Sequence, residues 1–174
     1  MDGRRLAVKK IVTKVLRIKK RACNAGPFLI QCYQKERGDE TMTYYWDMDG
    51  VLANFHKAYA TDKAVALKKN AMANLEPFVE NVMTLRTLIA MGHTCYILTK
   101  AANADGAQGK VEWLAKYIPE MDTEHTIIIT KGRKVDNIRE DGVLVDDDAA
   151  NTRQWEKAGH KAILLTTKGE AVRV

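Results

Sequence analysis

Short apolar, β-branched runs alternate in this chain with longer segments whose apolar residues recur at helix spacing, and that alternation limits the fold more than any other feature. The runs are Thr43 to Trp46, His93 to Thr99, His125 to Thr130, Gly142 to Val145 and Ala162 to Thr166. Between them, Phe78, Val82, Leu85 and Ile89 follow Pro77 and lead to a stop at Gly92, and Val111, Leu114, Ala115 and Ile118 precede Pro119. Ala149 to Ala158 reads as a further helix, ended by Gly159. Strands and helices in this order predict an α/β fold: a central parallel sheet with helices on both faces, joined by right-handed crossovers. Asn54 to Asn74 is helical in composition without a strong apolar stripe, and reads as a small insert over about residues 54–74.

At 174 residues the chain is expected to form one domain with a real core and a short extension. The net charge of +6 is local to that extension: residues 1–41 carry eleven Lys/Arg against four Asp/Glu, and the remainder carries seventeen against eighteen. Three readings of the basic segment compete: an arm for nucleic acid or anionic lipid, a targeting presequence, and an extension without a dedicated role. The expected division is therefore 1–41 as a basic N-terminal extension and 42–174 as the folded domain. Cys23, Cys32 and Cys95 form no CxxC pair, so neither a zinc site nor a disulfide framework is supported, and a reducing, cytoplasmic setting is the default. No stretch approaches the roughly 18 apolar residues of a membrane span.

The polar residues that end the strands carry the chemistry. WDMDGVLANF, from Trp46 to Phe55, sets Asp47 and Asp49 one residue apart at the end of a strand, with Gly50 permitting a sharp turn behind them. Thr99 ends the second strand, Lys131, Arg133 and Lys134 follow the third, and Asp146 and Asp147 end the fourth. A parallel sheet brings those ends together at the crevice where ligands bind. Carboxylates from two strands can hold one Mg²⁺, a hard cation that prefers oxygen ligands, while a hydroxyl and an ammonium grip phosphate oxygens. Each motif alone has an ordinary explanation as a solvated turn, a strand cap or a charged face. Jointly, and in this order, they suggest phosphoryl transfer.

These residues also carry a family resemblance. WDMDGVLANF, ILTK, the lysine group and VLVDDDAANTRQWEKAG resemble, in order, the four motifs of the haloacid dehalogenase (HAD) superfamily over roughly Met42 to Thr167. The first and last are most similar to the 5′(3′)-deoxyribonucleotidase group. The resemblance implies a Rossmann-like three-layer sandwich with a small helical cap insert, and a two-step phosphatase mechanism. Asp47 would be the nucleophile that forms an aspartyl-phosphate, and Asp49 the general acid and then the general base. It implies Mg²⁺ held by Asp47, the backbone carbonyl of Asp49 and Asp146, with Asp147 nearby, and phosphate held by Thr99 and a lysine. Lys134 is preferred for that lysine on its spacing before Asp146, with Lys131 as the alternative. The second aspartate points to a phosphatase or phosphotransferase rather than a dehalogenase.

The substrate implied is a small phosphomonoester, a nucleoside monophosphate. Phe55, His56 and Tyr59 are candidates for stacking on a base or covering the phosphate, with core packing of Phe55 and Tyr59 as the alternative. Competing functions are a phosphatase for a sugar phosphate or for a polynucleotide 3′-phosphate end drawn in by the basic arm, and a non-catalytic binding module that uses the arm. Nucleic acid is thus a possible partner but not the favoured one.

Overall fold

The computed structural model describes residues 41–165 and 171–172. The basic segment 1–40, with Cys23 and Cys32, lies outside the described residues. Among the described residues, six strands form one sheet: β1 (Thr43–Trp46), β2 (Thr94–Lys100), β3 (Thr126–Ile129), β4 (Val143–Asp146), β5 (Lys161–Leu165) and β6 (Ala171–Val172). Their order is β3-β2-β1-β4-β5-β6. The first five are parallel, and β6 pairs with β5 antiparallel. The chain thus has the α/β architecture expected from the alternation, Rossmann-like as the family resemblance implied, with β1 at the centre. The antiparallel β6 was not expected, because two residues carry no detectable periodicity.

Successive residues of a strand point to opposite faces, and β1 is buried on both. Tyr44 and Trp46 face one core cluster with Val82, Leu85 and Leu88 of helix α3 (Val79–Ala90) and Trp113 and Leu114 of helix α4 (Ala104–Tyr117). Tyr45 faces the other with Leu98, Leu144 and Trp155, the last from helix α5 (Ala149–Lys157). The three tryptophans Trp46, Trp113 and Trp155 are fully buried. Helices therefore cover both faces, which is why the strand sequences read as continuous apolar runs.

The insert leaves and rejoins the sheet at one place. Ala53 bridges Pro77, and the Phe78 N–H donates to Leu52 O at 2.7 Å. Pro77 thus lies two residues before the first helical residue, Val79. Within the insert the chain forms α1 (Phe55–Thr61), a 3-10 turn (Val65–Leu67) and α2 (Lys69–Ala73). The helix breaks at Asp62, whose carboxylate instead accepts from the Ala64 N–H at 2.9 Å and from Lys68 Nζ at 2.7 Å. Asx-type bonding of this kind competes with helical hydrogen bonds.

Two glycines of α4 seat the insert. A Cβ on Gly106 would lie 2.4 Å from Ala66 O, and one on Gly109 would lie 2.4 Å from Lys69 O and 2.7 Å from Met72 Cβ. Trp113 Nε1 donates to Leu75 O at 2.9 Å one turn further along. Gly109→Ala is therefore expected to destabilise the protein by about 1–3 kcal/mol, the usual cost of overpacking, although alanine is the better helix former by roughly 1 kcal/mol. Urea unfolding of the two proteins measures the difference, and an unchanged midpoint would mean that the insert is free to shift.

Candidate active site

β1 ends at Trp46, and the Asp47 N–H still donates to Val145 O at 2.9 Å, so the first carboxylate projects from the edge of the sheet beside β4. The chain then turns tightly: the N–H groups of Leu52 and Ala53 both donate to Met48 O, at 2.9 and 2.8 Å. Gly50 has φ of +79°, a conformation that L side chains rarely adopt. A Cβ there would sit 1.9 Å from Asp147 Oδ2. Glycine is needed at this position both for the turn and for the space that Asp147 occupies.

The strand ends bring together Asp47, Asp49, Thr99, Lys134, Asp146 and Asp147. Lys134 opens a 3-10 turn (Lys134–Asn137) after β3 and is 3% exposed. Its ammonium lies 2.7 Å from Asp47 Oδ1 and 2.6 Å from Asp146 Oδ2. Asp146, fully buried, also accepts from the Asp148 N–H at 2.8 Å and from Asn151 Nδ2 at 3.1 and 3.3 Å. Asp148 caps α5 by accepting from the Ala150 N–H at 2.7 Å. Asp147 is partly buried, with Oδ2 at 2.7 Å from His56 Nε2.

Asp49 does not join that bridge. Its Oδ1 lies 2.6 Å from the ammonium of Lys110, on α4, and the same ammonium donates to Thr99 Oγ1 at 3.1 Å. Lys110 was missed by the sequence reading, because it belongs to no motif. A signal for it exists: it stands three residues before Trp113 and four before Leu114, on the helix face that both bury. Asn151, in the same turn of chain as Asp146, was likewise not singled out.

Of the two candidate lysines, Lys134 is inside the cluster and Lys131 is exposed on the loop before it. Arg133 is directed to Asp136, at 2.6 Å. Of Phe55, His56 and Tyr59, only His56 contacts the acidic group. Phe55 is partly buried against the core and stacks on Tyr59 with centroids 5.5 Å apart, and Tyr59 stays exposed with Lys63 Nζ 4.3 Å from its ring centroid.

Electrostatics follow from this crowding. Burial pushes the Asp49 carboxyl up, and the Asp47 charge adds to the effect, against the opposing pull of Lys110. Burial and then Asp47 push Asp146 up to about 6, despite Lys134. Asp147 is raised by burial, partly countered by its bond to His56. Burial opposes the Lys134 ammonium, but Asp47 and Asp146 outweigh it and lift the group above an ordinary lysine. Carboxylate oxygens of Asp47, Asp146 and Asp147 all lie within 4.8 Å of one another. That oxygen-only set fits a hard divalent cation. So does the formal charge: the four carboxylates Asp47, Asp49, Asp146 and Asp147 exceed the two ammonium groups of Lys110 and Lys134 by two.

Among family models, one described as 5′ nucleotidase, deoxy (pyrimidine), cytosolic type C protein matches residues 63–170, more than half of the chain. The match takes in Thr99, Lys110, Lys134, Asp146 and Asp147 and begins after Asp47 and Asp49. No curated protein matches the chain.

The raised Asp146 has a testable consequence in chelator-treated protein. Its folded pKa of about 6 lies above the ordinary 3.8, so between those values the native state holds a proton that the unfolded state has lost. Stability then falls as pH rises through that window. The stability of Asp146→Asn relative to the unsubstituted protein should therefore improve from pH 4 to pH 6, as read from urea unfolding at each pH. A difference that is flat or of opposite slope would rule this out.

Proposed function

The chain belongs to the 5′ nucleotidase, deoxy (pyrimidine), cytosolic type C family, within the HAD-like phosphomonoester hydrolases, and we propose that it removes phosphate from nucleoside monophosphates through an aspartyl-phosphate. The observation that carries the mechanism is the division of labour at the end of β1. Asp47 is tied to Lys134 and Asp146, and Asp49, two residues on, is tied instead to Lys110 beside Thr99. Two neighbouring carboxylates in different surroundings suit two different tasks.

In this reading a carboxylate oxygen of Asp47 attacks phosphorus while the bond from phosphorus to the nucleoside oxygen breaks. Asp49 gives that departing oxygen a proton, and its raised pKa suits it to hold one. Asp49 then takes a proton from water as the water oxygen attacks the same phosphorus, freeing Asp47 and inorganic phosphate. Thr99 and Lys134 bind phosphate oxygens. Asp47, the backbone carbonyl of Asp49 and Asp146, with Asp147 close by, would hold Mg²⁺, which when bound supplies positive charge to the phosphate oxygens and offsets the excess of carboxylates. His56, bonded to Asp147, and Tyr59 three residues on are proposed to contact the base. Residues 1–41 are proposed to be separate from the hydrolase domain 42–174, and the protein to act in the cytoplasm.

Phosphate release from deoxy- and ribonucleoside 5′- and 3′-monophosphates, sugar phosphates and 3′-phosphorylated DNA tests this. Turnover is expected on nucleoside monophosphates, abolished by chelator and restored by Mg²⁺. Asp47→Asn should be inactive, and Asp49→Asn slowed by about 10²–10⁴-fold, the range of general acid–base catalysis. Preference for sugar phosphate or for DNA ends would reassign the substrate, and metal-loaded protein inactive on the whole panel would sink the phosphatase reading.

A further inference from the structure

Asp49 and Thr99 share one partner, and neither of their motifs contains it. Lys110 is 1% exposed, with its ammonium 2.6 Å from Asp49 Oδ1 and 3.1 Å from Thr99 Oγ1. We propose that Lys110 is a positioning residue that sets the direction of the hydrogen bonds around the phosphate. It holds the Asp49 carboxylate by one oxygen and makes the Thr99 hydroxyl a donor toward the substrate. The proposal rests on the phosphatase reading above.

An ammonium carries three donors and no acceptor, whereas a hydroxyl carries one donor and can accept as well. Thr99 Oγ1 must therefore accept from Lys110, and its single hydrogen is left for another acceptor, such as a phosphate oxygen. At Asp49 the ammonium makes an ion-pair contact with Oδ1, at 2.6 Å and without a hydrogen bond, so Oδ2 is the oxygen left to exchange a proton with the departing group. Without Lys110 the hydroxyl is free to rotate and the carboxylate loses its ion-pair partner, so both groups lose their aim.

The depth of the lysine is also set by the fold. Its neighbour Gly109 and Gly106 one turn earlier let α4 lie directly against the backbone of the insert, at Lys69 O and Ala66 O. Trp113, one turn later, is fully buried and bonded to Leu75 O. Lys110 is thus carried by a turn of helix that is fixed on both sides, as a residue that aims other groups must be.

Leaving groups of different need for a proton separate this role from a merely structural one. An alkoxide leaving from a nucleoside 5′-monophosphate needs the proton that Asp49 supplies, whereas the phenolate of para-nitrophenyl phosphate leaves readily without it. With Lys110→Met, kcat/KM on the nucleotide should fall at least about tenfold further than kcat/KM on para-nitrophenyl phosphate, given what a well-placed acid contributes. Lys110→Arg, which keeps a donor-only cation, should recover part of that ratio. Both rates come from one preparation, so any unfolded fraction cancels. Equal losses on the two substrates, or no loss on either, would overturn the positioning role while leaving the phosphatase reading intact. If the unsubstituted protein hydrolyses neither substrate, the phosphatase reading fails first and the proposal with it.

Discussion

Burying the Lys134 ammonium between Asp47 and Asp146 strips water from three charges, and the cost is offset only while all three remain in contact. The contact spans three connections of the chain: the turn after β1, the loop after β3 and the end of β4. Its closure therefore requires that β1 and β4 be neighbours in register, with Trp46 beside Val145, so that their ends come out level. Asp146 also accepts from the Asp148 N–H and from Asn151, the latter from the first turn of α5. Sheet order, helix start and site geometry thus depend on one bridge of buried charge.

A second buried lysine applies the same logic to the other carboxylate. Lys110 reaches Asp49 from α4, which belongs to the β2–β3 crossover, whereas Lys134 comes from the loop after β3. The two aspartates of one short turn are therefore neutralised by separate elements, and neither ammonium bridges Asp47 to Asp49. This keeps two like charges from sharing a single partner and gives each a distinct environment. It also ties the insert to the chemistry, because the helix that delivers Lys110 is the one whose glycines receive Ala66 and Lys69.

The parts legible in the sequence were those governed by local rules. Strands buried on both faces read as apolar runs, and a polar residue at the end of each run marks the point where packing gives way to the crevice; Asp47, Thr99 and Asp146 all occupy such ends. What was not legible depends on burial. Lys131 and Lys134 are three residues apart on one loop and differ in nothing that the sequence reveals, yet one is exposed and the other enclosed. Asn54 to Asn74 has the composition of one helix, but the Asp62 carboxylate finds local N–H and ammonium partners that break it. Lys110 escaped because attention to motifs passes over helix interiors. Its place on the face shared with Trp113 and Leu114 was there to be read as a charge where an apolar residue belongs.

That misplaced charge is a general kind of signal. An apolar residue at position 110 would cost nothing in desolvation, whereas the buried Lys110 ammonium needs acceptors brought to it. The acceptors found are an aspartate and a threonine from two different strand ends. A cation buried on the apolar face of a helix therefore calls for polar groups of the neighbouring sheet to converge on that face. In a parallel sheet such groups lie at the C-terminal edge, so the lysine points to the site as surely as the aspartate motif does. A strand end and a helix face thus converge on Asp49.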